Sequence, residues 1–336
     1  MTGPTSLPTV AVIIPNWNTR RWLPGCLDGL RAQTFQDFEV VLVDNGSSDD
    51  SVAFVQAEYP EVRVEALPEN RGFAAAVNLG IVATQSEFVA LLNVDTQPIP
   101  VWLNALVAAL DAAPPNVGGV ASKMLQLADP TRIDNAGDTF SWYGSARKQG
   151  MDEPAHGYTT PREVFSICAG AALYRREFLQ VVGTFDERFG SYLEDIDLGL
   201  RGRLLGYRYI YEPAAEILHQ SHGAGTPHAR YVAWMMRNRL AVLTKNVPLK
   251  LLLKHLGTLL YGQFYYFLAY KRPWHALKGW GGFVLLLPYL LRQRHEILKR
   301  KRISDTDLEA LLSNALGEIP MKTLLRSKVR QLLGKG

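Results

Sequence analysis

Three apolar runs and a fourth, mixed strand-like stretch, each leading to a polar cluster, constrain this chain more than any other feature. Val10-Ala11-Val12-Ile13-Ile14 stops at Pro15-Asn16-Trp17-Asn18, and Phe38-Glu39-Val40-Val41-Leu42-Val43 stops at Asp44-Asn45-Gly46-Ser47-Ser48-Asp49-Asp50-Ser51. Val62 to Ala66 leads to Asn70-Arg71-Gly72-Phe73, and Phe88 to Leu92 stops at Asn93-Val94-Asp95. Short runs that are apolar on both faces read as parallel strands covered by helices. Helical patterns fill the gaps: from Thr19, a candidate cap, to about Thr34; from Ser51 to Glu58; and an Ala-rich stretch to about Thr84. This alternation predicts an α/β, Rossmann-like, mostly parallel sheet with helices on both faces. Ligands of such sheets bind at the carboxyl ends of the strands, where the polar clusters stand. No G-x-G-x-x-G follows the first strand, which disfavours the usual dinucleotide site.

The 336 residues suffice for one large domain or two smaller ones. Cys26 and Cys168 lack metal-ligand spacing and read as core thiols of a reducing compartment. No basic stretch followed by an apolar one precedes Thr9, so no secretory signal is expected. The net charge of +4 is unevenly spread, since residues 246–302 hold eleven Lys and Arg against one acid, Glu296. The first 245 residues are net acidic. A basic, apolar end on an acidic body suggests a surface contact made by that end.

Candidate chemistry follows the strand ends. Asp44 can accept from a ribose or a pyrimidine, or it can cap the next helix, a task Ser47, Ser48 and Asp49 also suit. Asp95 ends an apolar strand and suits magnesium held by one carboxylate plus phosphate oxygens, or it is a turn acid before Pro98 and Pro100. From Asn116 to Phe165 the pattern is irregular, a hairpin and a long loop around Trp142-Tyr143. Val164 to Tyr174 reads as one strand whose centre, Gly170-Ala171-Ala172, admits a close approach. Tyr192-Leu193-Glu194-Asp195-Ile196-Asp197 places three carboxylates within four positions at a helix start. Crowded acids raise one another's pKa, which makes one a usable proton acceptor; the plainer reading is first-turn acids complementing the helix dipole, with Asp197 paired to Arg201. Tyr207 to Tyr211 reads as a short strand leading to His219 and His222, either of which can serve a metal.

Taken in order, these segments resemble the family 2 glycosyltransferases, inverting enzymes of the GT-A fold. The likeness runs from Thr9 to about Lys245 through Ile14-Pro15-Asn16-Trp17-Asn18, Val43 to Asp49, Asn70-Arg71-Gly72-Phe73 with Asn78, and Asn93-Val94-Asp95. It continues through Gly170 to Arg176, Gly183 to Phe189, Tyr192 to Asp197, Gly206-Tyr207 and His219. Arg237-Asn238-Arg239-Leu240 and the tail are similar to the rhamnosyltransferase branch. The resemblance implies Asp195 as catalytic base, with Glu194, Gly170 and Ala171 at the acceptor. It implies a nucleotide-sugar donor, UDP- or dTDP-linked, held by Pro15, Asn16, Asn18, Asp44, Asn70, Arg71, Gly72, Asn78 and Asn93. It implies Mg2+ or Mn2+ on Asp95, with His219 as a second ligand. Asn93 departs from the family's usual DxD motif, in which that position is Asp, so the metal would rest on Asp95, the diphosphate and His219. The Gln-x-x-Arg-Trp motif of processive relatives is absent, and Arg230-Tyr231-Val232-Ala233-Trp234 does not match it, so transfer of one or a few sugars is expected. The acceptor expected is a glycan or a lipid-linked glycan.

Residues 1–245 are therefore read as the catalytic domain and 246–336 as a basic, amphipathic helical region. Leu256 to Tyr270 is uncharged over 15 residues and Gly279 to Leu291 over 13, both short of the ~20 that span a bilayer. The tail reads as helices lying in a membrane interface, which puts the protein at the inner face of the cell membrane; a helical hairpin packed on the catalytic domain, or a homo-oligomeric contact, is the alternative. Long apolar runs between the bases argue against nucleic acid. A nucleotidyltransferase would need a Gly-rich loop after the first strand, and a non-catalytic nucleotide-sugar-binding or scaffold protein would not need Asp195.

Overall fold

The computed structural model describes residues 7–221 and 227–332. The chain divides into two compact units: Met1–Thr139, Lys148–Thr226 and Arg300–Ile303 form the first, and Phe140–Arg147, Pro227–Lys299 and Ser304–Gly336 the second. The second thus begins before the division expected at residue 246.

The first unit alternates strand and helix as its sequence predicts. It runs β1 (Val10–Asn16), α1 (Leu23–Arg31), β2 (Phe38–Asn45), α2 (Ser51–Glu58), β3 (Arg63–Leu67), α3 (Phe73–Ala83) and β4 (Phe88–Leu92). Then come β5 (Thr96–Pro98), α4 (Trp102–Asp111), β6 (Val117–Gln126), β7 (Ile133–Asn135), β8 (Asp138–Phe140), β9 (Ala146–Lys148) and β10 (Arg162–Val164), of which Phe140 and Ala146-Arg147 belong to the second unit. It closes with β11 (Ala171–Arg175), α5 (Arg176–Val182), α6 (Glu194–Leu204) and β12 (Arg208–His219). The sheet order is β10-β12-β6-β11-β4-β1-β2-β3, with β5 paired to β12 and β7 to β6. The half containing β3, β2, β1 and β4 is parallel, as the apolar runs predict, and β11 joins it antiparallel.

Alternation along β1 explains the layering. Val10, Val12 and Ile14 face one core with Leu23, Leu27 and Leu30 of α1 and Trp102 and Leu106 of α4. Ile13 faces the other with Ala76 and Val77 of α3 and Phe178 of α5. Gly80 of α3 has no side chain because a Cβ there would stand 2.4 Å from Ile13 Cγ2. Burying each such aliphatic side chain stabilises the fold by about 1.5–3 kcal/mol.

Three sequence expectations fail locally. Val164 to Tyr174 is not one strand but β10 and β11 with an intervening loop, because Ala171 turns back to Cys168 O. The irregular stretch after Asn116 begins with a ten-residue strand, β6, whose Gly118-Gly119 pair hid it: a Cβ on Gly118 would meet Phe178 at 2.4 Å. The short strand at Tyr207 extends to His219, with a register shift between Glu212 and Glu216 that absorbs Pro213.

The second unit is helical: α7 (His228–Asn246), α8 (Leu249–Lys254), α9 (Leu256–Ala269), α10 (Pro273–Lys299), α11 (Asp305–Leu311) and α12 (Met321–Leu332). Its small core joins Val232 and Met236 of α7 to Tyr265 and Tyr266 of α9 and Ala276 of α10. Ser304 caps α11 through a capping box with Asp307. Among the described residues no helix is long and apolar enough to cross a membrane.

Candidate active site

The acid cluster opens α6 on a sharp turn. Tyr192 and Leu193 both lie in the left-handed region, at φ 72° and 66°, which costs roughly 1 kcal/mol or more for each side-chain-bearing residue. The three acids that follow take different surroundings. Asp197 is fully buried and accepts from Arg201 Nε at 2.9 Å. Arg201 also donates to the carbonyls of Val182 (2.8 Å), Gly183 (3.2 Å) and Thr184 (2.7 Å), so this pair braces α6 against the end of α5. Glu194 is buried with Oε2 unpartnered, and burial, then the Asp195 charge, pushes its carboxyl well above the usual range. Asp195 is half-buried; burial raises its pKa, while the N–H groups of Ile196 (2.8 Å) and Ala169 oppose that rise. It is a carboxylate held in place by the backbone of Ile196 and Ala169.

A second cluster forms by strand pairing. Thr96 of β5 pairs with His219 of β12, which brings the preceding Asp95 to the imidazole: Oδ1 stands 3.6 Å from Nε2. On its other side, His219 Nδ1 meets Asp134 Oδ2 at 2.8 Å, and Lys148 Nζ reaches the same oxygen at 2.8 Å. Ser221 also donates to Asp134. Burial favours neutral His219, but the Asp134 and Asp95 carboxylates outweigh it and hold the imidazole above its ordinary pKa. Burial likewise opposes ionised Asp134, yet His219 and Lys148 hold it well below the usual range. With Nδ1–H given to Asp134, the Nε2 lone pair and the Asp95 oxygen face each other as an N,O pair that suits a divalent cation competing with the proton. No group of three His, Cys, Asp or Glu ligands occurs among the described residues, so a cation here would draw further ligands from substrate or water. His222 lies outside the described residues.

Asp134, Asp138 and Lys148 were not predicted. Asp138 accepts from Asn135 Nδ2 at 2.9 Å, and its Oδ2 is buried without a partner. Burial, then the Asp195 charge, pushes its carboxyl up to about 8. The visible signal was two acids flanking a glycine in Asp134-Asn135-Ala136-Gly137-Asp138. The antiparallel pairing of β7 with β6 (Met124 opposite Asn135) positions Asp134, and a bridge between Asp138 and Ser166 positions Asp138.

The expected donor residues gather at strand ends, with many of their polar atoms engaged by protein. Asp44 accepts from Asn16 Nδ2 (2.9 Å) and from Ser47 N (3.0 Å), and Asn16 Oδ1 accepts from Thr19 (2.6 Å). Pro15 lies opposite Val43 in the parallel pair, and Asn18 Oδ1 accepts from the N–H groups of Ser48 (2.7 Å) and Asp49 (3.2 Å). Asn70 Oδ1 accepts from Gly72 N (3.0 Å). Gly72 sits at φ 89°, where a Cβ would lie 2.7 Å from Gly190 O. Arg71 meets Glu187 at 3.1 Å on the surface, and Asn78 clamps Phe185 through both its backbone groups (2.8 and 3.1 Å). Asn93 N donates to Gly170 O (2.8 Å), which places Gly170 and Ala171 beside the end of β4.

The sheet of the first unit thus carries polar clusters at the ends of its parallel strands and a buried Asp95–His219–Asp134 cluster where β5 meets β12. A family model, Glycosyl transferase family 2, matches residues 11–183, and the chain belongs to that family of enzymes. It is 30% identical over 252 residues to the N-acetylglucosaminyl-diphospho-decaprenol L-rhamnosyltransferase of Mycobacterium tuberculosis, covering 68% of this chain and 80% of that protein. It is 32% identical over 225 residues to the uncharacterized protein y4gI of Sinorhizobium fredii, covering 63% of this chain but only 24% of that much longer protein. Among solved structures it is similar to GalNAc-T7 with UDP, GalNAc and Mn2+, at a TM-score of 0.58 and 16% identity over 71% of this chain and 48% of that one. At that identity the likeness is one of fold, which is GT-A.

Proposed function

We propose that this chain is an inverting, non-processive glycosyltransferase. In this reading it moves a sugar from a UDP- or dTDP-sugar, dTDP-rhamnose among them, to a hydroxyl of a lipid-linked glycan at the inner face of the cell membrane. The observation that carries the reading is the pairing of Asp95 with His219 at 3.6 Å, in the same unit as a base-like Asp195 that accepts from Ala169 N–H. The name of the relative in Mycobacterium tuberculosis supports a rhamnosyl group and a lipid-linked acceptor.

Asp195 takes the proton of the acceptor hydroxyl as its oxygen attacks the anomeric carbon, and the nucleoside diphosphate leaves from the opposite face in the same displacement. The raised pKa of Asp195 brings it towards the operating pH, where a base is most effective. Asp95 and His219 would hold Mg2+ or Mn2+, which, when bound, supplies Lewis-acid stabilisation of charge on the departing diphosphate. Asp134 keeps His219 in the ligating tautomer and orientation. Asp44 accepts from the base or ribose, Arg71 offsets diphosphate charge, and Asn16, Asn18, Asn70, Gly72, Asn78 and Asn93 shape the donor cleft. Glu194, Gly170 and Ala171 line the acceptor side. Incubating the protein with Mn2+, a panel of dTDP- and UDP-sugars and a short-chain N-acetylglucosaminyl-diphospholipid tests this. A product whose new linkage has inverted anomeric configuration by NMR is expected. A retained configuration, or full turnover after exhaustive chelation, would overturn it.

A further inference from the structure

The helices of the second unit are apolar on two opposite sides, and only one side is used. In α10, Ala276, Gly279, Leu286 and Leu290 are buried, and the same helix exposes Trp274, Leu277, Val284 and Leu285, with Leu285 86% exposed. At 100° per residue these two sets fall on opposite faces. In α9, Gly262, Gln263, Tyr265 and Tyr266 face inward, while Leu256, Leu260 and Phe264 form an exposed i, i+4, i+8 row. The inward faces meet in one small core: Trp280 Nε1 donates to Gln263 Oε1 at 3.1 Å and the Trp280 ring stacks on Phe267. Exposed contiguous apolar rows of this kind mark an interaction surface.

The occupant follows from charge. Lys250, Lys271, Arg272, Lys278 and Arg292 are exposed around the two rows, and residues 246–295 contain no acid at all. A second copy docked face to face would set this basic field against itself. A second copy docked through its first unit would offer opposite charge but little apolar surface, because the exposed large apolar side chains described there are only Leu7, Val82, Val101 and Met151, scattered singly. An anionic lipid surface satisfies both halves: acyl chains take the apolar rows and headgroups take the bases. The described helices do not meet the requirements for spanning, so they would lie in the plane of the membrane.

We propose that the exposed rows of α9 and α10 form an in-plane docking surface for anionic phospholipid; this deepens the membrane placement of the proposed reaction, and its test reads vesicle binding and not transfer. The test is co-sedimentation of the full chain with vesicles of phosphatidylglycerol and phosphatidylethanolamine, against vesicles of phosphatidylcholine. Binding is expected on the anionic vesicles and should weaken with salt. Arg272→Glu with Lys278→Glu should lower it roughly fivefold or more per residue. Val284→Glu with Leu285→Glu should lower it at least about tenfold, and the single Leu285→Ser supplies a milder check should the double variant fold poorly. Equal binding to both vesicle types, no binding to either, or variants that pellet like the wild type would overturn the proposal. So would variants that convert a dimer to a monomer in light scattering while leaving vesicle binding intact.

Discussion

In the first unit Asp95, Asp134, Asp138, Glu194 and Asp197 are carboxylates removed from water, while few large apolar side chains protrude. In the second, Trp274, Val284 and Leu285 stand in solvent, while the buried ionic side chains described are Arg239 and Lys245. Burying a charge costs several kcal/mol unless it is paired, and exposing an apolar row forgoes about 25 cal/mol per Å2. Each unit therefore keeps an unfavourable arrangement of a different kind. Unpaired buried oxygens such as Asp138 Oδ2 and Glu194 Oε2 are groups a substrate can satisfy, and uncovered helix faces are surfaces a membrane can cover.

The largest expected effect would break the comparison at its centre. Asp195→Asn should reduce transfer by about 10²–10⁴-fold, the usual worth of a general base, with donor nucleotide binding by calorimetry retained. Unchanged turnover would refute Asp195 as the base. Next, Asp197→Ala should destabilise the fold by roughly 3–5 kcal/mol in urea titrations, because it leaves Arg201 buried and charged. Truncating exposed Leu285 should shift stability by less than about 0.5 kcal/mol. Similar losses at both positions would erase the distinction between the units.

Asp134→Asn should weaken Mn2+ affinity about 10- to 100-fold without touching the metal, since it frees the His219 ring. An unchanged titration would mean that His219 does not ligate. The smallest effect is a pH slope. Asp138 has a folded pKa raised to about 8, so its stabilising contribution is present at low pH and is lost as pH climbs from the ordinary carboxylate range towards 8. Asp138→Asn should therefore gain thermal stability relative to the wild type as pH rises through that window. A gap in melting temperature that does not change with pH would place Asp138 in a better-solvated site. Transfer itself should fall on the acid side with a midpoint above the ordinary aspartate value, because Asp195 is raised and must be ionised to act.

Much of this was legible in the residues themselves. Continuous apolar runs imply buried parallel strands, and β1, β2 and β4 appear where Val10, Phe38 and Phe88 begin them. The Asp197–Arg201 spacing already implied an ion pair, and the uncharged runs after Leu256 were too short to span a bilayer. Local pattern determines these because helix and strand periods act over a few residues. The tertiary structure alone decided which acids meet. Asp95 and His219 are joined by β5 crossing to β12, and Asp134 reaches them through β7 on β6. Those are pairings between distant segments, and side-chain period carries no record of which strand lies next to which. The raised pKa of Asp138 and the one-sided use of α10 are also products of packing. They depend on what surrounds a residue in space, and residues far away in the chain supply it.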